Sequence, residues 1–214
     1  MKKITIVILT LCIAWAAGCR WVGVRGNGHI KTEDRTVSAF TEIDASGAFL
    51  IEWQSGPPAL RITTDENLLP YIESDVSGNT LRLHTHEQIW PTHGIKVVIS
   101  SPTRTGARIR GAVKLTAKQL TGPKFVFEAS GASRVSLDGN IDELLADMTG
   151  ASKLEAGGLQ SRIVEISTTG AGDAEVAVAE ALKVAITGAG KVTYSGNPTI
   201  EKHITGAGSV HRKE

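Results

Sequence analysis

Cysteine is nearly absent from this sequence: among 214 residues only Cys12 and Cys19 carry a thiol, and none follows position 19. That excludes a disulfide framework, a thiolate zinc site and a cysteine nucleophile from the bulk of the chain. Aromatic residues make up only 5%, too few for the base-stacking platform of a single-strand binder or for a large sugar-binding groove. Charge of one sign is also missing, with 23 Lys and Arg against 22 Asp and Glu. A chain so balanced lacks the basic footprint of a nucleic-acid partner. The apolar run from Ile4 to Trp15 falls short of the ~20 residues that a membrane-spanning helix needs.

What that short run does supply is an address. "MKK" precedes it and "AAGC" ends it, which gives the charged head, apolar middle and small-residue cleavage site of a secretory signal peptide. The tetrad Ala16-Ala17-Gly18-Cys19 resembles a bacterial lipoprotein box. That resemblance implies that residues 1–18 are removed and that Cys19 becomes an acylated membrane anchor, whose several chains hold where one would not. Arg20, standing where an aspartate would signal retention, points by the same resemblance to the outer membrane. Losing Lys2 and Lys3 takes the cations from 23 to 21 against 22 carboxylates, so the 196 remaining residues carry a net charge near −1. Residues 19–34, with "GVRGNGHIKTEDR" from Gly23, read as the lipidated cysteine and a polar tether. Residues 35–214 read as one domain, long enough to bury one sizeable core.

The strongest signal in the chain is a repeat. Gly-Ala pairs recur at Gly47, Gly111, Gly131, Gly150, Gly170, Gly188 and Gly206, at steps of 64, 20, 19, 20, 18 and 18 residues. The step of 64 leaves room for about three more coils. Around each glycine the apolar residues alternate with the strand period of two. Residues two, four and six before it are expected inside, as with Met148, Ala146 and Leu144; after it the inward set is one, four and six on, as with Ala151, Leu154 and Ala156. Each unit therefore reads as strand, Gly-Ala corner, strand, with a phase slip at the corner and the alanine tucked behind it. Stacked strand-only units of about 18–20 residues describe an all-β parallel β-helix. The alternative is a sandwich with regularly spaced strands, but sandwich strands need not repeat the same residue at the same step. "AITGAGKVTYSG", Ala185 to Gly196, is on this reading a corner and not a phosphate loop. GxxxxGK[ST] would need glycine at Ala185 and a hydroxyl residue at Val192, so no nucleotide and no other cofactor is expected.

Before the regular repeats, "FTEIDASGAFLIEW", "ALRITTD", "NTLRLHTH" and "IKVVISSP" read as strands, "ENLLPYIESD" as a short helix or irregular crossing, and "HEQIWPTHG" as the longest loop. The runs "VSAFTEIDASGAFLIEW", "DENLLPYIESDVSGNTLRL" and "IKVVISSP", followed by serial "SGAS", "TGAS" and "TGAG" corners, resemble the head GIN domain family of auto-transporter adhesins. The likeness spans about Gly26 to His211. It implies a secreted or envelope-anchored right-handed parallel β-helix with no established catalytic residues. "TRTGARIRGAVKL" departs from the family pattern because Arg110 stands before its corner glycine, so this coil is expected to be less regular.

Three groups of side chains are candidates for chemistry. Coil stacking would place Glu128 beside Asp147 and Glu155 beside Glu175, pairs able to raise a carboxyl pKa, as in a polysaccharide hydrolase or lyase, to hold a divalent cation, or to form a surface for binding. The mixture with Arg134, Lys153, Asp173 and Lys191 on the same outer side favours a solvated face. His84 and His86, two apart on a strand, and His93 in the following loop could surround a metal, but with no fourth ligand none is expected. Ser130, Thr149, Thr169, Thr187 and Thr205 form a hydroxyl ladder before the corners. Trp90-Pro91 reads as a cover over an open edge of the barrel and not as a recognition element. The expected protein is a non-enzymatic envelope lipoprotein whose partners are the membrane, through Cys19, and an envelope glycan or protein. Edge-to-edge self-association is a further possibility, because a terminal coil leaves a strand edge open.

Overall fold

A computed structural model describes residues 23–213 of the chain. The expectations for the signal peptide, Cys19 and Arg20 lie outside the described residues. In chain order the strands are β1 (Val24–Arg25), β2 (Ile30–Arg35), β3 (Glu42–Gly47), β4 (Phe49–Ser55) and β5 (Ala59–Asp65). A 3-10 helix, Glu66–Tyr71, leads into β6 (Ile72–Ser77), β7 (Thr80–Thr85), β8 (Ile89–Trp90), β9 (Ile95–Ser101) and β10 (Gly106–Gly111). Four long strands follow, β11 (Lys114–Gly131), β12 (Arg134–Gly150), β13 (Lys153–Gly170) and β14 (Asp173–Gly188), then β15 (Lys191–Ser195), β16 (Thr199–Gly206) and β17 (Ser209–Arg212).

These strands form a β-solenoid of about 5 turns, with 74% of the described residues in strand and 3% in helix. Each of β11 to β14 runs from just after one corner to the next, and successive strands pair parallel, so that like residues stack. Gly111 faces Gly47 and Gly131, and the column continues through Gly150, Gly170, Gly188 and Gly206. The reason for glycine lies in the stack itself. At Gly150 φ is +94°, and a Cβ would stand 2.7 Å from the carbonyl oxygen of Gly131, a separation that side chains do not reach. That same oxygen accepts the N–H of Ala151 at 2.9 Å.

The alanine is therefore outside. Ala132, Ala151, Ala171 and Ala189 are exposed, while the residue after each alanine, Ser133, Ser152, Gly172 or Gly190, is buried. The expected phase slip at the corner does not occur. The inward positions are two, four and six on both sides, because the glycine turns the chain through its positive φ without changing which residues of the alternation face in. Sizes across the corner compensate: where β-branched Thr168 and Ile186 point inward, the facing positions Gly172 and Gly190 have no room for a side chain.

The 64-residue step is likewise a single step of the ladder, since β10 pairs directly with β3. The intervening chain makes the closed end of the solenoid instead of three coils. β7 and β9 stack beneath β3 and β4 in parallel. β6 then adds antiparallel to β7, β5 to β9 and β2 to β5. The described part of the expected tether, residues 23–34, is instead built into the fold: β1 pairs with β8 in a small two-stranded sheet of its own, and β2 is an edge strand of the main sheet. Its polar sequence suits an edge strand, which has one side in solvent. The coil containing Arg110 is also regular, in unbroken register with both neighbours, because Arg110 points outward and donates to Asp44 at 2.7 Å.

The core is aromatic near the closed end and aliphatic beyond it. Trp53 stacks on Phe40 at 6.2 Å and tilts against Phe125 at 6.3 Å, and its indole N–H donates to Ser101 Oγ at 2.9 Å. Arg104, 5% exposed, donates to the carbonyls of Trp53, Lys118 and Gln119. Burial pushes its guanidinium pKa down. Gln119 is the one non-glycine residue with positive φ among those described, at 55°, and its carbonyl is tied to Arg104 at 2.6 Å.

Candidate functional site

Because the inward alternation holds on both sides of each corner, the outward residues flanking the corners fall in columns that run along the solenoid, while the register shifts farther from them. Three before the corner stand Asp44, Arg108, Glu128, Asp147, Ser167 and Ala185. Five after it stand Glu52, Thr116, Ser136, Glu155, Glu175 and Thr193. Both carboxylate pairs expected from the repeat are register neighbours, Glu128 with Asp147 and Glu155 with Glu175.

Cations occupy three of these four carboxylates, Glu128, Glu155 and Glu175. The Arg108 guanidinium grips Glu128 with two bonds, 2.7 and 3.1 Å, and this bonding holds the Glu128 carboxyl below its ordinary pKa against a smaller opposing effect of burial. Lys153 lies 2.7 Å from Glu155 and lowers its pKa in the same way, with Arg134 and Lys114 adding at longer range. Lys213 pairs with Glu175 at 2.5 Å. A glycosidase acid needs a raised pKa to deliver a proton near neutrality. Glu128 and Glu155 are shifted the other way and persist as anions. Shallow depressions surround both pairs, one bordered by Arg108, Arg110, Asp147 and Thr149, the other by Lys118, Asp138 and Ser195.

The hydroxyl column before the corners, Ser130, Thr149, Thr169, Thr187 and Thr205, is continuous in register. The histidines are split. His84 Nε2 and His86 Nδ1 both approach Glu73 on β6, at 3.0 and 3.2 Å, and His86 lies 5.4 Å from the Tyr71 ring. His93 instead meets its neighbour Thr92, Nδ1 to Oγ1 at 2.9 Å. No cluster of three or more His, Cys, Asp or Glu side chains fit to hold a metal occurs among the described residues.

Sequence reasoning passed over the residue that ties the closed end together. Asp65 is fully buried. Its Oδ1 accepts from Gly28 N–H at 2.7 Å and Thr92 Oγ1 at 2.8 Å, and its Oδ2 accepts Thr92 N–H at 2.8 Å. Burial pushes this carboxyl up, but the three donated bonds outweigh it and leave the pKa below the ordinary value. Its partners come from positions 37 and 27 residues away, so no local pattern announces them. Trp90 was placed as a cover; it pairs through β8 with Arg25 of β1 and is 39% exposed.

With the site laid out, likeness to known proteins adds its own measure. The family described as "putative auto-transporter adhesin, head GIN domain" matches residues 39–198. Among solved structures, a putative adhesin from Bacteroides fragilis superposes with a TM-score of 0.73 at 24% identity, covering 89% of this chain and all of its own. A putative lipid binding protein from Parabacteroides distasonis gives 0.59 at 21% identity, with 89% and 99% coverage. A putative adhesin from the same organism gives 0.56 at 20%, again with 89% and 99% coverage. At such identities these likenesses establish the fold. Among curated proteins no match is found.

Proposed function

The chain belongs to the head GIN domain family of auto-transporter adhesins, and from that premise we propose that it is a non-enzymatic, adhesin-like protein of the bacterial cell envelope. Signal peptide 1–18 and the lipid on Cys19 belong to this proposal, as does an outer-membrane location, on the strength of "AAGC" followed by Arg20. The ligand class is an envelope glycan or protein. The observation that carries the reading is the state of the outward carboxylates. Glu128 and Glu155 sit on a rigid sheet, are bonded to cations of the solenoid and are held as anions. Fixed anions alternating with fixed cations suit recognition by electrostatic complementarity. They lack the raised carboxyl that proton transfer to a glycosidic oxygen requires.

The mature chain carrying Cys19→Ser is the reagent for the test. It is expected to bind envelope glycans or cell surfaces saturably, with no product formed. Replacing Glu128, Glu155 and Glu175 with Gln, and Asp147 with Asn, should leave the unfolding transition in place while changing the salt dependence of binding. A glycan-cleaving activity that disappears in this fourfold variant, with the fold intact, would overturn the reading in favour of a hydrolase or lyase. Self-association is a second reading, favoured by one observation. β17 and β16 end the sheet, and no described strand pairs with their outer edges.

A further inference from the structure

We infer that the closed end of the solenoid, with Trp90 and Ile30 at its surface, rests on the lipid bilayer, so that the molecule stands with β16 and β17 away from the membrane. This rests on the acylation of Cys19 proposed above and specifies how the anchored domain is oriented.

The first argument is reach. If residues 23–35 were a free tether, the domain would float tens of ångströms from its lipid. They are instead built into the closed end. β1 pairs with β8, β2 pairs with β5 over six residues, and Asp65 fastens Gly28 between them. Only residues 20–22 lie between Cys19 and Gly23. Four Cα steps span at most about 14 Å, no more than the depth of a headgroup layer and its hydration. The chain therefore holds the closed end at the membrane surface.

The second argument is what lies where the chain emerges. Gly23 packs directly on the loop that carries Trp90: a Cβ built at Gly23 would stand 2.8 Å from the Trp90 indole nitrogen. Trp90 is 39% exposed and Ile30 46%, whereas Trp53, the only other tryptophan among the described residues, is buried. Ile30 lies two residues beyond Gly28 and Trp90 two before Thr92, and both of those are bonded to Asp65, so the two apolar side chains flank one anchor point. An indole with an apolar body and a polar N–H belongs at the headgroup level of a bilayer. The connecting residues Arg20 and Trp21 have the same chemistry, a cation for lipid phosphates and a second indole. The opposite end also exposes an apolar side chain, Ile200 at 38%, but it has no indole among the described residues and is crowded with cations and imidazoles: Lys202, His203, His211, Arg212 and Lys213 lie on β16, β17 and the residue after them.

The test exploits the scarcity of cysteine. In the lipidated chain Cys19 is blocked, so an introduced cysteine is the one reactive thiol. Gln88→Cys, beside Trp90, and Lys202→Cys, on the far coil, are each labelled with a fluorophore in protein reconstituted into phosphatidylethanolamine and phosphatidylglycerol vesicles containing a headgroup-level quencher lipid. Acylation of Cys19 is read in the same samples by mass spectrometry. We expect several-fold stronger quenching at position 88 than at 202. Adding Trp90→Ser and Ile30→Ser should remove most of that difference while far-UV circular dichroism stays unchanged. Equal quenching at the two positions with Cys19 acylated overturns the orientation and leaves the anchor standing. Unacylated Cys19 overturns the anchor itself. Full quenching retained in the Trp90→Ser, Ile30→Ser protein overturns the apolar contact, because the short linker alone would then hold the end down.

Discussion

At Gly170 a single methyl group decides whether two coils can stack. Its φ is +115°, and a Cβ would approach the Gly150 carbonyl oxygen to 2.7 Å. That oxygen cannot retreat, because it accepts the Ala171 N–H at 2.9 Å. The left-handed conformation alone costs an L-residue about 1–3 kcal/mol, and the collision with backbone adds to it. Gly170→Ala is therefore expected to destabilise the protein by at least ~2 kcal/mol. Ala171→Ser, one residue on and exposed, should stay within ~0.5 kcal/mol of the parent. Urea unfolding with a constant m-value separates the two; equal midpoints would show that the stack tolerates a side chain and that glycine is there for another reason. Lys191, exposed three residues after the Gly188 corner, belongs with Ala171 in this comparison and not with Gly170.

Among the elements, those with a repeating neighbour were legible and those closed by distant partners were not. The strands from β11 to β14 follow from alternation plus a glycine every 18–20 residues, because each is paired with a copy of its own pattern. The register of Glu128 with Asp147 came from the same counting. The alanine was misplaced because a period of two does not reveal which side a corner residue takes; the positive φ at the glycine settles that. β1 and β2 were missed for a different reason. Their sequence is polar, and their place depends on Asp65, whose ligands are contributed by separate segments. This dependence makes a pH prediction. The folded pKa of Asp65 lies below its ordinary 3.8, so its contribution is complete above the unfolded value and is lost as pH falls through the folded one. As the pH drops below about 4, amide exchange in residues 24–35, corrected for intrinsic rates, should accelerate before that of β11 to β14. Asp65→Asn should loosen the same segment already at pH 7, since an amide NH2 would face the donors that the carboxylate accepts. If residues 24–35 exchange alike at pH 3 and pH 7 in the parent, Asp65 does not hold the closed end.

Taken as one molecule, the protein is a stack whose coils pair through their strands only with their neighbours, so stability is close to a sum along the axis and its ends need not be equal. One end is closed. Antiparallel β2, β5 and β6 cover it, Trp53, Phe40 and Phe125 pack inside it, and Arg35 bridges to the carbonyls of Leu69 and Ile72 and to Ser74 Oγ. At the other end β16 is exposed at every residue except the half-buried Ile204, and Ile200 shows 38% of its surface. The gradient predicts an asymmetric response to trimming. A chain ending after Ser195 loses β16 and β17 but leaves the core from Phe40 to Ile186 with its own layers, and should keep a cooperative transition lowered by on the order of 5–10 °C. A chain lacking residues 24–35 exposes the antiparallel edge of β5, leaves Asp65 without its Gly28 bond and removes Arg35; it should melt lower still or lose cooperativity. Thermal unfolding of the two truncated proteins, with near-UV circular dichroism following Trp53, decides the matter. The reverse order of stability would place the structural keystone in the C-terminal coil and would remove the physical reason for assigning anchorage to the closed end.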